Sequence, residues 1–244
     1  MSKIKVGIVN YLNTAPLVYG LEKCAVKNQI ELIPDFPAKL AQSLKDGAID
    51  IGLVPVAVIP ELKEWFLVGE HCIGSDGAVA SVCIFSEVPI EKIEKIYLDY
   101  QSRTSVELAK ILLKEYWKIS PELLNTFEGY EQKITDTTAG LVIGDRSLLQ
   151  RKISTYTYDL GEVWKLHTGL PFVFAAWVSN KKLDDQFIKA FDEANDYGLN
   201  RIDEVIALHP FPQFNLHDYY TKFISYKLDE HKKQGLNRFL EFIA

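Results

Sequence analysis

Residues 6–17 of the chain are VGIVNYLNTAPL, in which an apolar run changes within a few residues into the start of a helix. The pattern predicts a strand that brings polar side chains to a helix N-terminus. Asn13 or Thr14 would cap this helix, and Pro16 suits its first turn. The free amides of a helix start attract negative charge, which makes the segment a candidate anion site. Polar residues followed by proline also begin helices that bind nothing, so both interpretations stay open.

The segments that follow this junction alternate in the same way. The strand and helix patterns of the first set fall at residues 5–9, 15–21, 30–33, 38–44 and 49–54. A second set has strand patterns at 79–85, 95–98 and 139–143 and a helical pattern at 105–117. Strands that alternate with helices predict an α/β fold.

The last third of the chain differs from this alternation. After an apolar run at residues 170–178, only helical patterns are found, near 182–208, 217–228 and 231–243. We predict two α/β lobes with a helical C-terminal part, lobe 1 formed by residues 1–78 plus 176–244 and lobe 2 by residues 79–175. The crossings would fall near residues 77–82 and 172–177, and a ligand cleft is expected between the lobes.

Composition excludes several classes of function. The 244 residues are 48% apolar, with a net charge of −6 from interspersed acids and no basic stripe, so we expect no nucleic-acid partner. No apolar run approaches the about 18 residues of a membrane span, and a secretory pattern is absent, so we expect a cytoplasmic protein without membrane association. Cys24, Cys72 and Cys83 lack metal-ligand or CxxC spacing and are expected to be reduced, packed thiols.

Common catalytic motifs are missing from the sequence. It contains no GxSxG, HExxH, GxxxxGK[ST] or GxGxxG, which weakens the case for hydrolysis and nucleotide chemistry. We therefore expect no cofactor and no metal. The histidines are scattered; His71 and His167 flank the predicted crossings, but a structural role is favoured for each. The sequence leaves the oligomeric state open.

A second strand-to-helix junction is DYQSRTSVE, residues 99–107. Thr104 and Glu107 form a capping-box pattern. The hydroxyls of Ser102, Thr104 and Ser105, the free amides and Arg103 would together bind a carboxylate or phosphate. A purely structural interpretation has Thr104 as a cap and Arg103 as a solvated charge. The anion site is favoured because a cap requires neither the extra hydroxyls nor the arginine.

Two further positions are candidates for the same cleft. Gly144 and Asp145 follow a predicted strand, where the glycine allows close backbone approach and the aspartate can cap the next helix. Capping alone explains Asp145 well, but their place at a strand end makes both candidate substrate-binding residues. Ser81 lies at a predicted lobe crossing between small neighbours. Buried serines usually bond to backbone, but this location makes Ser81 a candidate catalytic residue.

Six ordered segments carry a resemblance that covers nearly the whole chain: NYLNTAPL, DGAIDIGLVP, SDGAVASVCIFS, SRTSVELAKILL, LVIGDRSLL and DLGEVWKLHTGLPFVFAAW. With these segments the chain resembles the chorismate dehydratase family of the futalosine route to menaquinone. The resemblance implies a type 2 periplasmic-binding-protein fold that closes over chorismate. It also implies removal of the ring hydroxyl and the hydrogen on the neighbouring ether-bearing carbon, giving 3-[(1-carboxyvinyl)oxy]benzoate.

The resemblance implies polar cleft residues at Asn13, at Ser81 and at the segment from Ser102 to Ser105. Chorismate has two carboxylates, and two strand-to-helix junctions on different lobes could each hold one. We hypothesise that Ser102 to Ser105 bind one carboxylate while Asn13 and Ser81 orient the ring and its hydroxyl. No well-placed general base is evident, so the substrate's own enolpyruvyl carboxylate would accept the proton.

Two competing functions belong to the same fold. One is the naphthoate synthase of the same pathway, whose opening motif has a cysteine and an Asn-Asp pair after the first strand where this chain has NYLN. The other is a non-catalytic solute-binding protein for a small carboxylate, which would need an export signal or a lipid anchor. The opening motif and the missing signal favour the dehydratase.

Overall fold

The structure, a computed structural model, describes residues 3–244 of the chain. The strands in this part of the chain are β1 (Ile4–Ile8), β2 (Ile30–Pro34), β3 (Ile51–Pro55), β4 (Phe66–Ser75), β5 (Val82–Ser86), β6 (Lys95–Leu98), β7 (Glu122–Asn125), β8 (Thr138–Ile143), β9 (Tyr156–Asp159), β10 (Phe172–Ser179) and β11 (Ser225–Lys227). The α-helices are α1 (Ala15–Lys23), α2 (Pro37–Lys45), α3 (Arg103–Leu112), α4 (Gly144–Gln150), α5 (Leu160–Thr168), α6 (Asp185–Leu199), α7 (Ile202–Leu208), α8 (Leu216–Asp218) and α9 (Glu230–Ile243).

The first sheet has the strand order β11-β4-β10-β3-β1-β2. β1 runs parallel to both β2 and β3, because α1 and α2 return the chain to the same edge after each strand. β10, β4 and β11 extend the sheet beyond β3 in antiparallel pairs. β3 is buried along its whole length, as expected for an inner strand of a covered sheet.

The second sheet has the order β7-β6-β8-β5-β9 and the same mixed character. β6 runs parallel to β7 and β8, whereas β5 pairs antiparallel with β8 and β9. Each sheet therefore has a parallel part in which strands lead into helices. Ligands of such sheets bind beyond the carboxyl ends of the strands.

The chain passes between the sheets twice. The first passage joins β4 to β5, and the second runs from β9 through α5 to β10. β10 pairs with β4 from Phe172 onward, so residues 172–175 belong to the first sheet. The second passage therefore lies within residues 160–171. The lobe limits at residues 78/79 and 175/176 stay a prediction.

The α/β fold with two sheets confirms the predicted fold class, and the alternation through β3 matches the expected segments within about two residues. The helix predicted at 217–228 is wrong. α8 is followed by a π turn, Tyr219–Phe223, and then by β11, which pairs with β4. The edge strands β7 and β9 lie outside the predicted strand patterns. Among residues 3–244, none of the helices has the length and apolar character needed to span a bilayer.

Candidate active site

A cavity lies between the two sheets and is partly open to solvent. The residues that line its walls include Tyr11, Asn13, Ser81, Ser102, Ser105 and Gly144. They follow β1, β6 and β8 or immediately precede β5, so the carboxyl ends of parallel strands from both sheets meet here. The remaining wall is mostly apolar, with Leu53, Ile73 and Phe174 from the first sheet. The cavity can hold a small ring against an apolar surface and its polar substituents against the strand ends.

Asn13 lies in a single 3-10 turn, Leu12–Thr14, between β1 and α1. Its backbone carbonyl accepts a hydrogen bond from the Tyr226 hydroxyl at 2.9 Å. Its side-chain Oδ1 is buried and has no hydrogen-bond partner among the described residues. An unpaired buried acceptor on a cavity wall is free to bind a donor from a ligand.

Thr14 takes the N-cap position of α1, one of the two predicted, but its side chain makes no capping hydrogen bond to the helix. The extra 3-10 turn changes the direction of the chain before α1 begins. As a result, the Thr14 hydroxyl turns back, accepts from the Tyr11 N–H at 3.3 Å and donates to the Val9 carbonyl. Thr14 therefore fixes the end of β1, and the Asn13 side chain is left unpaired.

Ser81 follows a tight turn centred on Ala80. The Ser81 N–H donates to the Val79 carbonyl at 2.8 Å, and Ala80 has a φ of 63°. This left-handed conformation costs about 1–2 kcal/mol for a residue with a Cβ, so the surrounding structure must hold it. The turn places Ser81 on the cavity wall, where its hydroxyl has only a long bond of 3.4 Å to the Val79 carbonyl.

The strained turn is held by Asp159, a buried residue at the end of β9. Its carboxylate accepts from the Val79 N–H at 3.0 Å and from the Ala80 N–H at 2.8 Å. It also caps α5 by accepting from the Gly161 N–H at 3.1 Å. Charge-assisted bonds of this kind are about twice as strong as neutral ones, and together they offset the strain at Ala80.

Ser102 is the cap of α3, where its hydroxyl accepts from the Ser105 N–H at 3.0 Å. Both serines line the cavity. The predicted capping box of Thr104 and Glu107 is wrong, because the Thr104 hydroxyl accepts from the Ala57 N–H at 3.1 Å instead. Thr104 thus joins α3 to the 3-10 segment that follows β3, and it is not among the residues that line the cavity.

Arg103 is not brought into the cavity. Its guanidinium forms an ion pair with Glu61 on the surface, and this pair is the main cause of the lowered pKa of the Glu61 carboxyl. A contact between Arg103 and a substrate carboxylate would require the side chain to leave Glu61. The predicted role of Arg103 in substrate binding stays a prediction.

Gly144 and Asp145 lie opposite the first junction. Gly144 has a φ of 62°, donates its N–H to the Ser81 carbonyl at 2.8 Å, and faces the Tyr11 ring at 3.8 Å from the position a Cβ would take. Asp145 does not cap α4 as predicted. Its carboxylate accepts instead from the Leu12 N–H at 3.2 Å, so it caps the 3-10 turn of the other sheet. Burial raises the pKa of this carboxyl.

Sequence reasoning missed two residues of the cavity wall, Tyr11 and Gln101. The Tyr11 hydroxyl donates to the Gln101 side-chain oxygen at 2.7 Å. The same oxygen accepts from Arg146 at 3.2 Å, and Arg146 is held by the buried Asp99. Both residues were visible in the sequence as polar neighbours of the two junctions, but nothing in their spacing showed that they meet.

Among the described residues that line the cavity, none is Lys or Arg. An anion bound here would be held by backbone N–H groups at the start of α3 and by serine hydroxyls, which is the usual chemistry of a helix N-terminus. Residues 3–244 contain no group of three or more His, Cys, Asp or Glu side chains arranged to hold a metal ion. The site is thus suited to orienting a small polar anion.

Solved structures with the same architecture include a protein of Archaeoglobus fulgidus, with a TM-score of 0.79 and 15% identity over 98% of this chain and 96% of that one. The alkanesulfonate-binding protein of Xanthomonas axonopodis pv. citri, solved with bound MOPS, has a TM-score of 0.68 and 13% identity over 99% and 92%. A Candida albicans protein with the generic periplasmic binding protein fold has a TM-score of 0.65 and 13% identity over 100% and 90%.

The two mixed sheets and these solved structures define a periplasmic-binding-protein-like fold, with the cavity between the two sheets. Within this class, the chain belongs to the menaquinone biosynthesis family, whose model matches residues 4–244. The chorismate dehydratase of Thermus thermophilus is 27% identical over 273 aligned positions, which cover 98% of this chain and 94% of that protein.

Proposed function

We propose that the protein is a chorismate dehydratase, which eliminates water from chorismate to give 3-[(1-carboxyvinyl)oxy]benzoate. The similarity to the Thermus thermophilus enzyme over nearly the full length of both chains carries this proposal. The family's place in menaquinone biosynthesis and the polar cavity between the sheets agree with it. The three free thiols agree with a cytoplasmic location.

The reaction breaks two bonds on neighbouring ring carbons. The C–O bond to the ring hydroxyl breaks, the C–H bond on the ether-bearing carbon breaks, and the electron pair left behind completes an aromatic ring. The hydroxyl leaves with the released proton as water. Because aromatisation supplies the driving force, the protein has to orient the substrate and keep competing water away.

We assign one carboxylate of chorismate to the start of α3. Ser102 and Ser105 line the cavity there, and the first amides of the helix contribute partial positive charge. This arrangement binds a carboxylate without an arginine. Such a site holds the anion in a fixed direction through several short donors.

Asn13 and Ser81 are proposed to act on the reacting hydroxyl. The unpaired Oδ1 of Asn13 is an acceptor, and the ring hydroxyl of chorismate is a donor that would satisfy it. The Ser81 hydroxyl has only a weak internal bond, so it is free to donate to the oxygen that departs. The enolpyruvyl carboxylate of the substrate is proposed to accept the proton from the ether-bearing carbon.

Two bonds keep the cavity closed on the side of Asn13. They join Tyr11 to Gln101 and the Leu12 N–H to Asp145, and each connects the first sheet with the second. In the proposed two-lobed enzyme, with lobe 1 as residues 1–78 plus 176–244 and lobe 2 as residues 79–175, these bonds would form when the lobes close. Closure removes bulk water from the reacting carbons.

The decisive experiment is to incubate the purified protein with chorismate and to follow substrate and aromatic product by chromatography. We expect stoichiometric conversion of chorismate into 3-[(1-carboxyvinyl)oxy]benzoate. Binding of chorismate without conversion would favour the solute-binding alternative and overturn the proposal. An Asn13→Ala variant prepared in the same way controls for contaminating activity.

A further inference from the structure

The backbone just before Ser81 has a rare and strained form. The bond from the Ser81 N–H to the Val79 carbonyl closes a three-residue turn, and the φ of 63° at Ala80 makes it the positive-φ kind of γ-turn. Glycine adopts this conformation freely, whereas a residue with a Cβ is strained in it. Such strain persists only where neighbouring groups hold the backbone. The groups that hold Ala80 therefore determine where Ser81 lies.

The Ala80 carbonyl is held by side chains. Ala80 is fully buried and lies outside the strands, so its carbonyl needs a partner from elsewhere. Three side-chain donors meet at this oxygen: the Ser147 hydroxyl at 3.3 Å, the Arg151 guanidinium at 3.3 Å and the Cys83 thiol at 3.5 Å. Arg151 is the charged member of this set, and hydrogen bonds from a charged donor are the stronger ones.

Arg151 also connects the two sides of the turn. Asp159 accepts from the Ala80 N–H at 2.8 Å, and the Arg151 guanidinium lies 3.7 Å from the same carboxylate oxygen. The guanidinium is planar and stays charged at any pH at which the protein is folded. One rigid cation thus faces both the Ala80 carbonyl and the carboxylate that binds the Ala80 N–H.

This arrangement fixes the backbone on both sides of Ser81. The peptide group before it is held through the Ala80 carbonyl by Arg151 and through the Ser81 N–H by the Val79 carbonyl. The peptide group after it is held because the Ser81 carbonyl accepts from the Gly144 N–H at 2.8 Å. Rotation about χ1 is then the freedom left to the Ser81 side chain. Ser81 lines the cavity, whereas Arg151 is not among the lining residues.

We propose that Arg151 is a positioning residue of the reaction: by holding the Ala80 carbonyl, it keeps the strained turn in the conformation that places Ser81 on the cavity wall. The inference rests on the proposed function, in which Ser81 acts on the departing hydroxyl. It assigns no contact between Arg151 and the substrate. Loss of Arg151 should therefore slow the chemical step and leave the affinity for chorismate nearly unchanged.

Glycine at position 80 provides a specific test, because glycine adopts a positive φ without being held. The test measures kcat and KM for chorismate in wild type, Arg151→Met, Ala80→Gly and the Ala80→Gly/Arg151→Met pair. Arg151→Met should lower kcat about tenfold and change KM less than about twofold. Ala80→Gly alone should lower kcat by less than about threefold. In the pair, it should restore kcat to within about threefold of wild type.

The chain offers a matched control for each substitution. Lys152→Met removes the neighbouring cation, which is exposed, and should leave the kinetics of wild type. Ala78→Gly changes an alanine of the same loop that is not among the residues with a positive φ, so it should not rescue Arg151→Met.

The arginine variants should fold. Without Arg151, the Asp159 carboxylate keeps its bonds from three backbone N–H groups. Arg151→Lys retains the charge beside Asp159 without the planar group, and it should show a smaller loss of kcat than Arg151→Met. Thermal unfolding checks that both variants are folded.

Hydrogen exchange tests the same contact without a substrate. The amides of residues 79–81 should exchange at least about tenfold faster in Arg151→Met than in wild type or Lys152→Met, because the turn opens more often when its carbonyl is released. Unchanged exchange would refute the holding role of Arg151 whether or not the protein converts chorismate.

Three kinetic results would overturn the inference. They are wild-type kcat from Arg151→Met, a pair as slow as Arg151→Met alone, and a raised KM with unchanged kcat, which would mean that the arginine attracts the anionic substrate instead. If wild type does not convert chorismate, the proposed function fails, and the exchange measurement still reports on the turn. The two failures are therefore distinguishable.

Discussion

The phenol of Tyr11 donates a 2.7 Å hydrogen bond to the side-chain oxygen of Gln101, and this bond joins the first sheet to the second at the edge of the cavity. The Tyr11 ring also lies against Gly144, so one side chain contacts both junctions of the second sheet. The link between the two sheets at the cavity therefore depends on a residue of the first junction.

Replacement of Tyr11 by phenylalanine should weaken chorismate binding. The ring would still pack on Gly144, but the bond to Gln101 would be lost. A neutral hydrogen bond contributes about 0.5–1.5 kcal/mol, so we expect Kd to rise by up to about tenfold. Titration calorimetry measures the change, with Tyr116→Phe on the outer surface as control. An unchanged Kd would show that the bond does not contribute to the closed state.

Asn13→Ala should reduce turnover far more than it reduces stability. The Oδ1 atom has no partner among the described residues, so its removal breaks no internal hydrogen bond of that atom. If it binds the reacting hydroxyl, kcat/KM should fall roughly a hundredfold, the range seen when a site loses one positioned polar group. The exposed Asn28→Ala serves as control. Wild-type kinetics from Asn13→Ala would remove Asn13 from the mechanism.

Ser102 and Arg103 can be compared directly as carboxylate ligands. Ser102 lines the cavity, whereas Arg103 pairs with Glu61 on the surface. We expect Ser102→Asn, which keeps a capping side chain, to weaken chorismate binding more than Arg103→Ala does. Kd values from calorimetry decide the comparison. A larger loss from Arg103→Ala would mean that the arginine leaves Glu61 to bind substrate.

The three thiols should differ in reactivity. Burial raises the pKa of Cys72 to about 12 and raises that of Cys83 as well, while Cys24 is half-buried. Since the thiolate is the reactive form, a disulfide reagent at pH 8 should modify Cys24 alone in the folded protein. All three should react in guanidinium chloride. Cys24→Ser should then leave no rapidly reacting thiol.

Stability should decline at alkaline pH because buried tyrosines resist ionisation. Burial raises the pKa of Tyr130, Tyr219 and Tyr226 above the ordinary value of about 10. The folded state then holds protons that the unfolded state releases, so the stabilisation is complete below pH 10 and is lost as the pH rises above it. Urea unfolding at pH 8, 9.5 and 11 should show this decrease. A free energy of unfolding independent of pH would contradict it.

The strand-to-helix junctions could be predicted because apolar patterns and capping residues are local signals. The orientation of the residues within the second junction could not be fixed in the same way. Ser102 and Ser105 are three positions apart and share a helix face, whereas Arg103 and Thr104 point elsewhere around the helix. If the first residue of α3 had been known from the sequence, helical geometry would have shown that Ser102 and Ser105 face one direction and that Arg103 and Thr104 face others.

Other parts of the site depend on contacts between distant segments. An alanine gives no sign that it will adopt a left-handed conformation, and Ala80 does so because Asp159 holds it. β11 has three residues and exists through its pairing with β4, which no local pattern reveals. Tyr226 therefore lay in a segment predicted to be one continuous helix.

In the proposed two-lobed enzyme, Asp159 would affect how the lobes move. Its carboxylate accepts from Val79 and Ala80 on the first passage between the sheets and from Gly161 on the second. Both passages are thus fastened at one point, which would serve as the pivot when the lobes open. A pivot next to Ser81 would displace that hydroxyl little, so the proposed opening would carry Asn13 away from the serine. Substrate would enter against Ser81 first and meet Asn13 last.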